Sequence, residues 1–75
     1  MIIDKVRQLL AEQFGVEEYE LEDDTNILED YCTSPMERVD VAMALEDRFG
    51  ITVSDDDLAQ LGTLEEIADY VERNL

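Results

Sequence analysis

Between Ile3 and Phe14 the apolar residues Ile3, Val6, Leu10 and Phe14 recur at spacings of three and four, and Leu9 widens the stripe, so this segment predicts an amphipathic helix. Gly15 follows at once and suits the left-handed conformation that closes a helix. From 16 to 33 the period breaks. Glu17, Glu18, Glu20, Glu22, Asp23, Asp24, Glu29 and Asp30 crowd this stretch without one basic residue, and Val16, Tyr19, Leu21, Ile27, Leu28 and Tyr31 are scattered among them. It reads as a long ordered loop pinned to a core by its spaced apolar side chains.

A helix start is written in Ser34-Pro35-Met36-Glu37: Ser34 can cap, Pro35 fits the first helical position, and Glu37 can reach back as the third residue of a capping box. This helix is expected to run to Phe49 and stop at Gly50, with Met36, Val39, Ala42, Met43, Leu45 and Phe49 inward. Glu37, Arg38, Asp40, Asp47 and Arg48 then face water, and Val41, off the stripe, is expected to be partly exposed. Ser54 with Asp57 repeats the cap pattern and predicts a short helix over 55–60. Thr63 with Glu66 repeats it before a last helix whose buried stripe is Leu64, Ile67, Ala68, Val71 and Leu75. Ile51-Thr52-Val53 is too short to found a sheet, so the expected fold is all-α: a four-helix bundle with one short helix and a long loop between the first two helices.

Composition narrows what such a bundle does. The 75 residues are expected to form a single domain, 1–75, small enough to bury only about 60% of the surface its unfolded chain exposes. With 45% apolar residues it can still close a core, so the charge marks a folded domain rather than a disordered acidic tail. The net charge of −16 repels phosphate backbones and anionic lipid and points toward proteins with basic patches; neither nucleic acid nor membrane is an expected partner. One cysteine, Cys32, and no histidine exclude an internal disulfide and any Cys/His metal cluster, which fits a reducing, cytoplasmic setting. No secretory leader or membrane span is read in the opening residues. Without histidine, a phosphate-cradling glycine loop, or a serine with a base beside it, the chain is not expected to be an enzyme.

Three segments carry a resemblance over essentially the whole chain: Ile27-Leu28-Glu29-Asp30-Tyr31, the run from Val39 through Ala42-Met43-Ala44-Leu45-Glu46 to Ile51, and Ile67-Ala68-Asp69-Tyr70-Val71. Together they resemble the acyl carrier proteins of fatty-acid and polyketide type. That family's attachment motif is Asp-Ser-Leu preceded by glycine and a small residue, and a gapless match sets Cys32, Thr33, Ser34, Pro35 and Met36 against the five positions. The resemblance implies 4'-phosphopantetheine as cofactor, held on a serine whose place is taken here by Pro35. It also implies a docking surface of acidic residues on the second long helix, here Glu37, Asp40, Glu46 and Asp47 with Val41 among them. Basic-patched synthases, ligases and transferases are the implied partners of a monomeric carrier.

Three readings of the altered motif follow. Ser34 is a helix cap, or it takes the phosphopantetheine arm after a one-residue shift, or Cys32 accepts an acyl group directly as a thiol at a helix start. Glu29, Asp30 and Glu37 oppose the last by disfavouring a thiolate. Met36, Met43, Leu45 and Ile67 are candidates to line a sheltered acyl space. A different class, divalent-cation binding, is suggested by the alternation of Glu22, Asp24 and Asn26, although the glycine and closing glutamate of a calcium loop are out of register.

Overall fold

The computed structural model describes residues 1–75 and is all-helical. α1 spans Ile2–Phe14, α2 Ile27–Tyr31, α3 Pro35–Phe49, α4 Asp55–Ala59 and α5 Leu64–Arg73, with a single 3₁₀ turn at Glu18–Glu20. α1 ends at Gly15 (φ 69°) and α3 at Gly50 (φ 67°), each a left-handed cap whose N–H returns to the helix, to Ala11 and Glu46 respectively. A Cβ at either place would be strained, which explains glycine there. No helix is long and apolar enough to cross a membrane.

α1 packs chiefly on α5 and then on α3, and α4 closes against α3. Val6, Leu10, Leu21, Ile27, Val41, Leu45, Leu64, Ile67 and Val71 are the large side chains removed from solvent. No charged side chain or side-chain amide is buried, so burial of apolar surface is the main force holding the core.

The segment 16–33 is more structured than a loop. Asn26 accepts a hydrogen bond from the Glu29 N–H and starts α2, whose Ile27 and Leu28 enter the core. The bundle therefore has five helices, two of them short, rather than four. The Ile27 N–H donates to the Gly62 carbonyl at 2.8 Å, and the Leu64 and Glu65 N–H groups donate to Thr25 and Asp23 at 3.0 Å, lashing this segment to the start of α5. Arg7 on α1 adds a bond to the Leu21 carbonyl at 2.9 Å and ion pairs with Asp4 and Asp23. Leu21 pins the segment as expected, whereas Tyr19 is 80% exposed and pins nothing.

The rotation of α3 corrects the sequence reading. Val41, expected to be partly exposed, is fully buried beside Ala42 and Leu45, while Met36, Val39 and Met43 are 74%, 44% and 55% exposed. The helix carries two apolar stripes, Val41–Leu45–Phe49 and Met36–Val39–Met43, and only one can face the core. Periodicity alone could not choose between them. At the chain's end Leu75 is exposed, and Tyr70 takes the buried place instead, its hydroxyl 2.9 Å from an Asp57 carboxylate oxygen.

Candidate docking and attachment site

The start of α3 is built around Glu37. Ser34, extended at φ −132°, accepts a hydrogen bond from the Glu37 N–H at 3.3 Å, and Pro35 opens the helix where an N–H would have no internal partner. The Glu37 carboxylate does not complete the expected capping box by returning to the Ser34 backbone. It accepts instead from the hydroxyls of Ser34 at 3.2 Å and Thr33 at 2.9 Å. Ser34 Oγ thus donates one hydrogen bond and accepts one, both with Glu37, and a phosphodiester formed on it would stand against a carboxylate.

Cys32 caps the C-terminal end of α2 and is 2% exposed. Burial pushes its thiol up, Glu37 adds to the rise, and Arg38 opposes it. A thiol so placed is protonated and covered, the opposite of an activated acyl acceptor. Glu29 and Asp30, expected to act on it, are not among the groups that shift it; of the three carboxylates only Glu37 is.

The residues expected to face a partner separate into three kinds. Asp40 and Asp47 are exposed. Glu37 is half-buried in its capping role, and Glu46 is half-buried with its carboxylate accepting the Val53 N–H at 2.9 Å. Val41, being in the core, offers no surface to a partner. The outward stripe missed in the sequence runs Met36, Asp40, Met43, Asp47 at helical spacing, with Val39 alongside. Apolar residues at such spacing read as core from sequence alone, and the competing stripe Val41–Leu45–Phe49 is the signal in the sequence that a second face exists.

Ion pairs within α3 would neutralise this face, but every ion pair in the molecule belongs to Met1, Asp4, Arg7 and Asp23. Arg38 lies to the side, in a groove of about 270 Å³ between α3 and α4 that Pro35, Val39, Asp55, Leu58 and Ala59 also line.

Two other expectations fail on placement. Met36 and Met43 are on the outside while Leu45 and Ile67 are fully buried, so the four do not line one acyl space. Asn26 is occupied as the cap of α2, and no group of three or more His, Cys, Asp or Glu side chains converges to hold a metal ion. Glu22, Asp24 and Asn26 therefore form no ligand set.

This bundle, with a helix start at the expected attachment point and an acid-flanked apolar stripe beyond it, matches the family model described as a phosphopantetheine attachment site over residues 4–71. The chain belongs to the acyl carrier protein family. It is 38% identical over 68 residues to Acyl carrier protein 2 of Pseudomonas aeruginosa, covering 91% of this chain and 86% of that protein. It is 31% identical over 74 residues to the acyl carrier protein of Thermotoga maritima, covering 99% and 91%. Carriers of this family are not enzymes, and their cofactor is 4'-phosphopantetheine. Here that group meets no oxygen at Pro35 and, one place earlier, a hydroxyl already engaged with Glu37.

Proposed function

We propose that this protein is an acyl-carrier-type module of acyl-chain biosynthesis that docks through α3 onto acyl-handling enzymes and carries no phosphopantetheine arm. The observation that carries the reading is the exposed stripe of Met36, Val39 and Met43, flanked by Asp40 and Asp47, neither of them in an ion pair. Apolar side chains in water beside unpaired carboxylates suit a partner with an apolar cleft rimmed by Lys or Arg. The missing arm rests on Pro35, which has no nucleophilic oxygen, and on the engagement of Ser34. Synthases, ligases and transferases with basic patches fit as partners, met by a single-domain monomer in the cytoplasm.

Two measurements test this. Titration against a ketosynthase, an acyl ligase and an acyltransferase that accept family carriers is expected to give salt-sensitive binding, weakened at least tenfold by Met43→Glu or by Asp40→Lys with Asp47→Lys. Binding that ignores these changes would sink the docking face. Intact mass after incubation with a phosphopantetheinyl transferase and coenzyme A is expected to show no adduct. An adduct that disappears in Ser34→Ala would establish the shifted attachment site instead.

A further inference from the structure

We infer that this protein is an armless competitor: it occupies the carrier-docking patch of an acyl-handling enzyme and so holds loaded carriers off. The inference rests on the docking reading above and adds what docking accomplishes. The two capacities of a carrier are separable on α3. Attachment belongs to the helix start, at 33–35; recognition belongs to side chains from the next residue to about three turns further on, Met36, Val39, Asp40, Met43 and Asp47.

Pro35 removes the first capacity and leaves the second intact. Its ring has no oxygen to esterify, yet at the first helical position its fixed φ suits the helix and its missing N–H has no bond to lose. The flanking hydroxyls do not substitute. Thr33 and Ser34 both donate to the one Glu37 carboxylate, so an anionic phosphodiester on either hydroxyl would stand against that charge. Cys32 is under the surface. A molecule with this stripe and no thioester can form the encounter but deliver nothing, and while bound it covers the cationic rim a loaded carrier needs.

Such a complex has a defined kinetic form. Competition at a shared patch raises the apparent KM for loaded carrier and leaves kcat unchanged. With loaded carrier well below its KM and this protein at ten times its Kd, mass action lowers the rate about 11-fold. A small thioester substrate that reaches the same enzyme without docking is turned over at an unchanged rate.

The experiment uses the whole chain, the three enzymes above and a loaded carrier of the same family. The expected result is inhibition of at least one carrier-dependent reaction, overcome by more loaded carrier, absent with an acyl-pantetheine substrate, and abolished by Met43→Glu. A second variant, Ser34→Asp with Pro35→Ser, rebuilds an Asp-Ser-Met start and is expected to accept the arm and turn from inhibitor into substrate. Circular dichroism checks that both variants are folded. Binding without inhibition, a fall in kcat rather than a rise in KM, or equal inhibition of the small substrate would each overturn the competitor while leaving the docking face standing. Absence of binding to all three enzymes would overturn both. Loading of the unaltered chain by the transferase would overturn the armless premise and the competitor with it, leaving the docking face standing.

Discussion

The functional reading depends on which side of α3 faces the core, and a pair of matched truncations tests that rotation. Val41→Ala and Val39→Ala remove the same two methyl groups from the same helix two residues apart, but Val41 is fully buried and Val39 is 44% exposed. Deleting the buried groups forfeits about 0.8 kcal/mol each in transfer free energy, about 1.6 kcal/mol together, before any cavity left behind is counted. Alanine returns up to about 0.7 kcal/mol in helix propensity at both sites, so that gain cancels in the comparison. The net expectation is a loss of about 1 to 2 kcal/mol for Val41→Ala and a change within about 0.5 kcal/mol for Val39→Ala. Urea unfolding followed by far-UV circular dichroism reads the difference, because a domain this small has an m-value near the low end, about 1 kcal/mol/M. The two midpoints should then differ by roughly 1 to 2 M, with Val41→Ala the lower and m unchanged. Equal midpoints, or a lower one for Val39→Ala, would mean that α3 presents its other stripe to solvent.

Three further outcomes follow from the caps and the thiol. Ser34→Ala removes the α3 cap and should destabilise by about 1 kcal/mol, a fall in Tm of about 4–8 °C in a scanning melt; an unchanged Tm would show that the Ser34–Glu37 bond contributes nothing. The Glu66 carboxyl is held below its ordinary range first by the Thr63 N–H, then by the Gly62 N–H and the Thr63 hydroxyl. Its folded value is depressed, so its contribution is present above the ordinary glutamate range and is lost as pH falls through the depressed value. Glu66→Gln should therefore flatten the acid side of a Tm-against-pH curve, and an identical acid side in both proteins would count against the assignment. Cys32 should resist iodoacetamide in the native state at neutral pH and react on unfolding in urea, whereas rapid native labelling would contradict its burial.

The parts of this structure legible in the sequence are those fixed by local chemistry. Ser34, Ser54 and Thr63 each accept a bond from the N–H three residues on, and Gly15 and Gly50 each take the left-handed stop, because caps answer to neighbours in the chain. α2 was missed because five residues are too few to show a helical period; the pairing of Asn26 with Glu29 was its only local mark. The phase of α3 was missed for a different reason. Its choice between two apolar stripes is made by packing on α1 and α4, which no window of sequence contains. The same ambiguity carried into the site: acidic residues were chosen by charge, and two of them, Glu37 and Glu46, have their carboxylates committed to internal N–H and hydroxyl donors.

That commitment sharpens what the acidity of the second long helix can mean. Where a carboxylate already accepts internal bonds, moving it toward a partner's cation requires giving them up, so Glu37 at the start of α3 and Glu46 against the Val53 N–H are committed internally, while Asp40 and Asp47 have no such bonds to lose. The division of labour bears on Pro35 as well. Proline four residues later, at Val39, would remove an internal helix bond and clash with the preceding turn, a cost of about 3 kcal/mol, and the exposed stripe would be broken with it. At the first helical position the same residue costs no internal bond. Position 35 is thus a place on this helix where a proline stands in for an attachment oxygen while the surface beyond it stays in register, and on the reading proposed above the loss of an arm would leave recognition intact.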